Sequence, residues 1–215
     1  MAEQEVTIYL LRHGRQNSRL CNVDVELSPE GLEQAALLGE RLAACGIGIV
    51  YSSALLRAVE TARIANRYWN VEHVVEPDLR EIDFGRMEGL SDEEIGLAFG
   101  EFKRELNKME KDLPYPGGEC AADVIKRVMP VLLRIAQGSN RKAAVVTHGG
   151  VIRSVAAHIL GMEPGKYRLL GSSLENCGIT ELKADPKTGR FTLERFNDYA
   201  HLERNPKLLR RGWKE

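Results

Sequence analysis

Two stretches decide the fold: "EVTIYLLRHG" (5–14) and "KAAVVTHGG" (142–150). Each is an apolar, β-branched run that ends abruptly in a histidine followed by glycine. A run that is apolar at successive rather than alternate positions fits a strand buried on both faces, as in a parallel sheet covered by helices. In such sheets ligands sit beyond the carboxyl ends of the strands. His13 and His148 fall at two such ends, and Arg12 stands beside the first.

Around these runs, helices and strands alternate. "LSPEGLEQAALLGERLAACG" (27–46) reads as a helix, with Ser28 as N-cap, Pro29 in the first position and Gly46 as terminator. Leu32, Ala35, Ala36, Leu38, Leu42 and Ala43 follow helical spacing along it. "IGIVYSS" (47–53) is a short strand, "ALLRAVETARIANRYW" (54–69) a helix and "VEHVVEP" (71–77) another strand. "DLREIDFGRMEGLS" (78–91) reads as a glycine-punctuated loop, followed by one amphipathic helix over about 91–112. The turn "YPGGEC" (115–120) leads into "AADVIKRVMPVLLRIAQ" (121–137), a helix that Pro130 is expected to kink or split. A helix over 151–161 and two late strands around "DPKTG" (185–189) complete the chain. The alternation predicts an α/β fold: a three-layer α/β/α sandwich with a mostly parallel central sheet and helices on both faces. At 215 residues the chain is read as one domain, 1–215, with a small helical cap expected at about 91–116.

Thirty Lys and Arg nearly cancel 31 Asp and Glu, so no net field favours nucleic acid or an anionic membrane. An anionic ligand would need a local cluster of cations. "MAEQEVTIYLL" has no basic n-region, and no apolar run approaches the length of a bilayer-spanning helix. Cys21, Cys45, Cys120 and Cys177 form no CxxC pair, which fits reduced thiols and a cytoplasmic location.

Two histidines in matching settings point to function more strongly than one, because imidazole titrates near neutrality and serves as nucleophile, proton carrier or metal ligand. A metal site is not expected. There is no HExxH or HxH, His73, His158 and His201 have ordinary surroundings, and Arg12 is a poor neighbour for a cation. An arginine beside a reactive imidazole suits a phosphate, whose oxygens its fork bonds bidentately. Arg57, in "SSALLRAVETA" (52–62), is a second candidate cation, weighed evenly against a solvated helix face. No GxxxxGK loop is present. A proton donor for a leaving oxygen could be Glu81, Asp83 or Glu88, and chemistry alone does not choose among them.

"RHG" (12–14), "SSALLRAVETA" (52–62), "LREIDFGRMEG" (79–89) and "VVTHGG" (145–150) occur in an order that resembles the histidine phosphatase superfamily, in its phosphoglycerate-mutase-like branch. "ELSPEGLEQAALLGERL" (26–42) and "PGGE" (116–119) extend the resemblance. It implies that His13 is a nucleophile forming a phosphohistidine. Arg12, Arg57 and His148 would form the phosphate pocket together with Asn17 and Gly149, and Glu81 would protonate the leaving group. It implies no metal and no cofactor, a small phosphorylated molecule as partner, neither nucleic acid nor membrane, and a homodimer as one possible assembly. His13 must be neutral to attack, whereas a charged His148 would help hold phosphate. The sequence departs from the family just past the nucleophile, at Arg15-Gln16-Asn17. Asn22 therefore competes with Asn17 for the phosphate contact, and Arg15 is either solvated or suited to a more acidic substrate.

The resulting expectation is a metal-independent phosphomonoester hydrolase acting on a small phosphorylated metabolite. A bisphosphoglycerate-dependent phosphoglycerate mutase is the alternative, disfavoured by chain length. A non-catalytic relative that binds phospho-ligands or proteins is the second alternative, disfavoured because no key residue is lost. The basic tail "RNPKLLRRGWKE" (204–215) reads by default as a frayed, solvated terminus, with a partner or anion contact as the alternative.

Overall fold

A computed structural model describes residues 5–210. Six strands form one sheet: β1 (Val6–Arg12), β2 (Ile49–Ser52), β3 (His73–Val75), β4 (Lys142–Thr147), β5 (Ile179–Ala184) and β6 (Phe191–Asp198), in the order β3-β2-β4-β1-β5-β6. β1 runs parallel to β4, and β2 parallel to β4 and β3, while β5 and β6 add an antiparallel edge beside β1. Five helices cross over between or cover the strands: α1 (Pro29–Leu42), α2 (Leu56–Asn66), α3 (Asp92–Lys108), α4 (Ala121–Gln137) and α5 (Gly149–Ile159). The expected three-layer α/β/α arrangement is what forms.

The unbroken apolar character of the central strands follows from two separate cores. Ile8 and Leu10 of β1 face Val124, Val128, Leu132, Val151 and Val155 of α4 and α5. Tyr9 and Leu11, one residue out of phase, face Ala35, Leu38, Ala58 and Ala62 of α1 and α2. Both sides of the pleat are therefore committed to burial.

Four expectations need correction. In α1 the cap is as expected, with Ser28 Oγ accepting from Gly31 N at 3.2 Å, but Leu32 and Ala43 are exposed and Gln34 is fully buried instead. α4 runs through Pro130 as one helix, because Pro130 lies on its solvent face while Val128, Val131, Leu132 and Ile135 stay packed. The interruption falls in α3, where Phe99 leaves helical geometry at φ −126°, ψ 19° and packs its ring on the core. The C-terminal segment is not frayed as far as residue 210: Leu208 and Leu209 are buried, and Gln34 Nε2 donates to Leu208 O at 2.7 Å. Residues 211–215 of the basic tail lie outside the described residues. Cys21, Cys45, Cys120 and Cys177 are free thiols, and no helix among the described residues is long and apolar enough to cross a membrane.

His201, just after β6, is mostly enclosed, and burial pulls its pKa down to about 4. The folded state thus holds it neutral while the unfolded chain takes up a proton near pH 6.5, so its contribution is lost as pH falls from 6.5 towards 4. We expect His201→Gln to lessen acid destabilisation over that interval by up to ~3 kcal/mol. Urea unfolding of both proteins at neutral and mildly acidic pH checks this; identical pH slopes would contradict it.

Candidate active site

Strand register brings the two histidines together. Arg12 pairs opposite Thr147 across β1 and β4, and His13 N donates to Thr147 O at 3.0 Å. The chain therefore leaves both strands side by side, with the His13 and His148 rings 5.0 Å apart between centroids and tilted by 53°. β2 flanks β4 on the other side, and Ser53, just past its end, meets His148 Nε2 with Oγ at 2.6 Å. Both imidazoles are buried.

His13 Nδ1 lies 2.7 Å from Gly14 O. A carbonyl only accepts, so Nδ1 carries the proton and Nε2 presents its lone pair. Arg57 Nε–H donates to that Nε2 at 3.3 Å, in agreement with this tautomer. Burial and the Arg57 and Arg12 guanidiniums hold His13 well below the usual imidazole range. His148 is held low by burial, then by His13 and the same two arginines. These surroundings disfavour the charged form of His148.

Arg57 is buried, not a solvated helix-face residue. Its Nη1 donates to Val23 O at 2.9 Å and its Nη2 to Asn22 Oδ1 at 2.6 Å. Asn22 adopts a left-handed backbone, φ 48°, and its Nδ2 donates to Glu88 Oε1 at 2.6 Å. Asn22 is thus the asparagine on the arginine; Asn17 is exposed at the rim of the cavity.

The three candidate acids separate by what they touch. Glu88 props Asn22 and also accepts from Phe84 N at 3.2 Å. Asp83 Oδ1 is taken by Gly85 N at 2.7 Å in its own turn. Glu81 lines the cavity with His13, Arg12 and Arg57. Its Oε1 accepts from Ile82 N at 2.9 Å and its Oε2 from Gly150 N, in the first turn of α5, at 3.3 Å. A Cβ on residue 150 would stand 2.5 Å from Glu81 Oε1 and 2.8 Å from Ile82 Cγ2, so only glycine fits there. At Gly149 a Cβ would meet Arg12 Nε at an ordinary 3.5 Å, so Gly150 rather than Gly149 is the constrained glycine.

Arg12 donates from Nη1 to Leu174 O, while its Nε is buried without a partner, as is Nδ1 of His148. Burial pulls the Arg12 guanidinium down from its usual range, yet an arginine starts so high that it stays charged. A buried unsatisfied polar group costs roughly 1–3 kcal/mol, which an oxyanion between these side chains would offset. The cavity that Arg12, His13, Arg57 and Glu81 line has a volume of about 1070 Å³. Among the described residues no group of three or more His, Cys, Asp or Glu side chains converges as a metal-ligand set.

Sequence reading missed Ser53, Gly150, Asn176 and Arg210. Asn176 Nδ2 donates to His13 O at 2.8 Å, fixing the backbone under the imidazole, and Arg210 lines the cavity. Ser53 carried a signal, since it too follows a strand, while Gly150 closes "VVTHGG" and Arg210 lies in the basic tail; nothing in the sequence marks Asn176.

Two imidazoles and two guanidiniums gathered at the carboxyl ends of a parallel sheet define an α/β protein with an oxyanion pocket. The chain belongs to the histidine phosphatase superfamily (branch 1), whose family model matches residues 8–199. It is 31% identical over 205 residues to "Phosphoglycerate mutase-like protein 4" of Arabidopsis thaliana, covering 91% of this chain and 86% of that protein. It is 30% identical over 203 residues to "Uncharacterized phosphatase PhoE" of Bacillus subtilis, covering 91% and 96%. The solved mycobacterial glucosyl-3-phosphoglycerate phosphatase with inorganic phosphate superposes with a TM-score of 0.81 at 26% identity, over 91% of this chain and 99% of that one.

Asn22→Ala would release one Nη of Arg57 and leave Glu88 without its amide. We expect inorganic phosphate to bind about tenfold more weakly by calorimetry, the size of one charge-assisted hydrogen bond. Unchanged affinity would detach Asn22 from the anion pocket.

Proposed function

We propose that the protein is a metal-independent phosphatase that hydrolyses a small phosphomonoester through a phosphohistidine at His13. The observation that carries this reading is the His13 ring itself, which is buried, held neutral, and oriented by Gly14 O so that Nε2 faces Arg57. The Nε2 lone pair attacks phosphorus and the P–O ester bond breaks. Its electron pair leaves with the ester oxygen, which takes a proton from Glu81. Water then attacks the phosphohistidine, Glu81 receives that water's proton, and the P–N pair returns to Nε2. Arg12, Arg57 and the Nδ1–H of His148 bind the equatorial oxygens, where charge is spread in the transition state. Splitting hydrolysis into two transfers gives each step a positioned nucleophile.

Mutase action is the second reading, favoured by the phosphoglycerate mutase-like relative. It requires the phosphohistidine to be protected from water and handed back to a bound phosphoglycerate.

The test is rapid quench with a labelled phosphomonoester in EDTA, comparing the native protein with His13→Ala and Glu81→Gln. The native protein is expected to show an acid-labile phosphoryl group and steady phosphate release, both absent in His13→Ala. Glu81→Gln is expected to lose at least about a hundredfold in rate for alkyl phosphates and far less for p-nitrophenyl phosphate, whose leaving group departs without a proton. Equal losses for both substrates would remove Glu81 as the acid. Transfer of label to glycerate phosphates in place of release would establish the mutase.

A further inference from the structure

We infer that Arg127 and Glu119, an ion pair outside the cavity, are positioning residues for the reaction: together they hold the backbone that carries Glu81, and so place its carboxyl against the leaving oxygen. This rests on the phosphatase reading and on Glu81 as its acid.

Glu81 needs outside support because its segment has little of its own. It lies between two short 3-10 turns, Pro77–Leu79 and Gly85–Met87, where neither a strand ladder nor an α-helix fixes the backbone. Hydrogen bonds from other elements fix it instead. Thr147 Oγ1, at the end of β4, donates to Leu79 O at 2.7 Å. Arg127, in the second turn of α4, donates from Nη1 to Asp78 O and from Nη2 to Glu81 O, the latter at 3.1 Å. Arg80 Nη2 donates to Glu119 Oε1 at 3.2 Å. Asp83 N donates to Glu119 Oε2 at 3.0 Å, and Glu119 N returns a bond to Asp83 O at 2.9 Å. All of these ties but the first end on Arg127 or Glu119.

The pair itself is a fork, Nε to Oε1 at 2.8 Å and Nη2 to Oε2 at 2.9 Å, with side chains only 10% and 15% exposed. A planar guanidinium bonded in this way has one orientation, so its remaining hydrogens are aimed at the Asp78 and Glu81 carbonyls. Gly118 lets the turn come close enough, since a Cβ there would run into Asp83 O. Fastening α4 to the turn requires the fork alone. The further bonds to residues 78, 81 and 83 are what reach the acid from both sides.

Neither residue lines the cavity, so neither touches the reacting atoms. Their effect is on distance: a proton passes only within hydrogen-bond reach, and a misplacement of about 1 Å can cost ~100-fold in rate. The charge of Arg127 is also felt at His148. Arg127→Lys keeps that charge and loses the fork, which separates the two effects.

The test is single-turnover phosphoryl transfer to His13, followed by rapid quench with saturating glycerol 1-phosphate or p-nitrophenyl phosphate. This step is read alone because the later hydrolysis uses Glu81 whatever the substrate. Arg127→Lys and Glu119→Gln are each expected to slow transfer from glycerol 1-phosphate by about tenfold or more, and from p-nitrophenyl phosphate by less than about threefold, because nitrophenolate leaves without a proton. Combined with Glu81→Gln, neither should slow glycerol 1-phosphate further. The two variants break the pair from opposite sides, so either suffices if the other fails to fold. Equal losses on both substrates, or losses that add fully to that of Glu81→Gln, would overturn the positioning role and leave Glu81 as the acid. A native protein that transfers only from p-nitrophenyl phosphate, or a Glu81→Gln that slows both substrates alike, removes Glu81 as the acid and this inference with it.

Discussion

The site depends on the β1–β4 pairing more than on any single side chain. With Arg12 opposite Thr147, the two strands end level, and His13 and His148 emerge in contact. Side chains alternate faces along a strand, so a slip of one residue would turn His13 to the other face and move it ~3.3 Å along the sheet. The register is protected by the two cores. Ile8 and Leu10 belong to one and Tyr9 and Leu11 to the other, so a slip of one residue would exchange the packing partners on both faces.

That geometry creates an electrostatic problem, and the way it is resolved explains the protonation states. Two guanidiniums and two imidazoles, most of them buried, share one site. Burial and like charge together disfavour two more cations, so both imidazoles are neutral. For His13 this is what nucleophilic attack requires. For His148 it changes how an anion would be held. Ser53 Oγ sits on Nε2, so if the hydroxyl donates there, Nδ1 carries the hydrogen and offers it from a buried, otherwise unpartnered position. A neutral donor then serves where a charged one was expected, and the positive charge stays on the arginines.

The fold was legible in the sequence because its signals are periodic and local: unbroken apolar runs, a Ser-Pro helix start, histidines and glycines at strand ends. His13, Arg12 and Glu81 sit where the motifs placed them. What stayed illegible were properties set by long-range packing. Leu32 fits the helical stripe of α1 but faces solvent, and Gln34 is buried because it must hold two backbone segments, one of them 174 residues away. Pro130 looked like the helix breaker, yet the non-helical residue is Phe99, beside Gly100, a local weakness in α3 that the sequence reading passed over. That Asn22 rather than Asn17 meets Arg57 depends on a contact 35 residues apart, made from a left-handed backbone at Asn22, which no spacing rule reveals.

Arg57 and Arg127 show how the structure separates an uncancelled cation from a paired one; for Arg57 the sequence left the choice between a pocket and a solvated helix face even. Arg127 forms a fork on Glu119, Nε to Oε1 at 2.8 Å and Nη2 to Oε2 at 2.9 Å, so its charge is cancelled where it stands. Arg57 is equally well anchored, but its hydrogen bonds go to a carbonyl, an amide oxygen and an imidazole nitrogen. Neutral acceptors fix the direction of the guanidinium without neutralising it. The carboxylate that completes the chain, Glu88, is kept one residue away behind Asn22. Substituting a carboxylate for Asn22 would bind Arg57 more strongly and spend the field that the pocket needs for its ligand. Rigidity and uncancelled charge are therefore obtained together, and the intervening amide is what makes the two compatible.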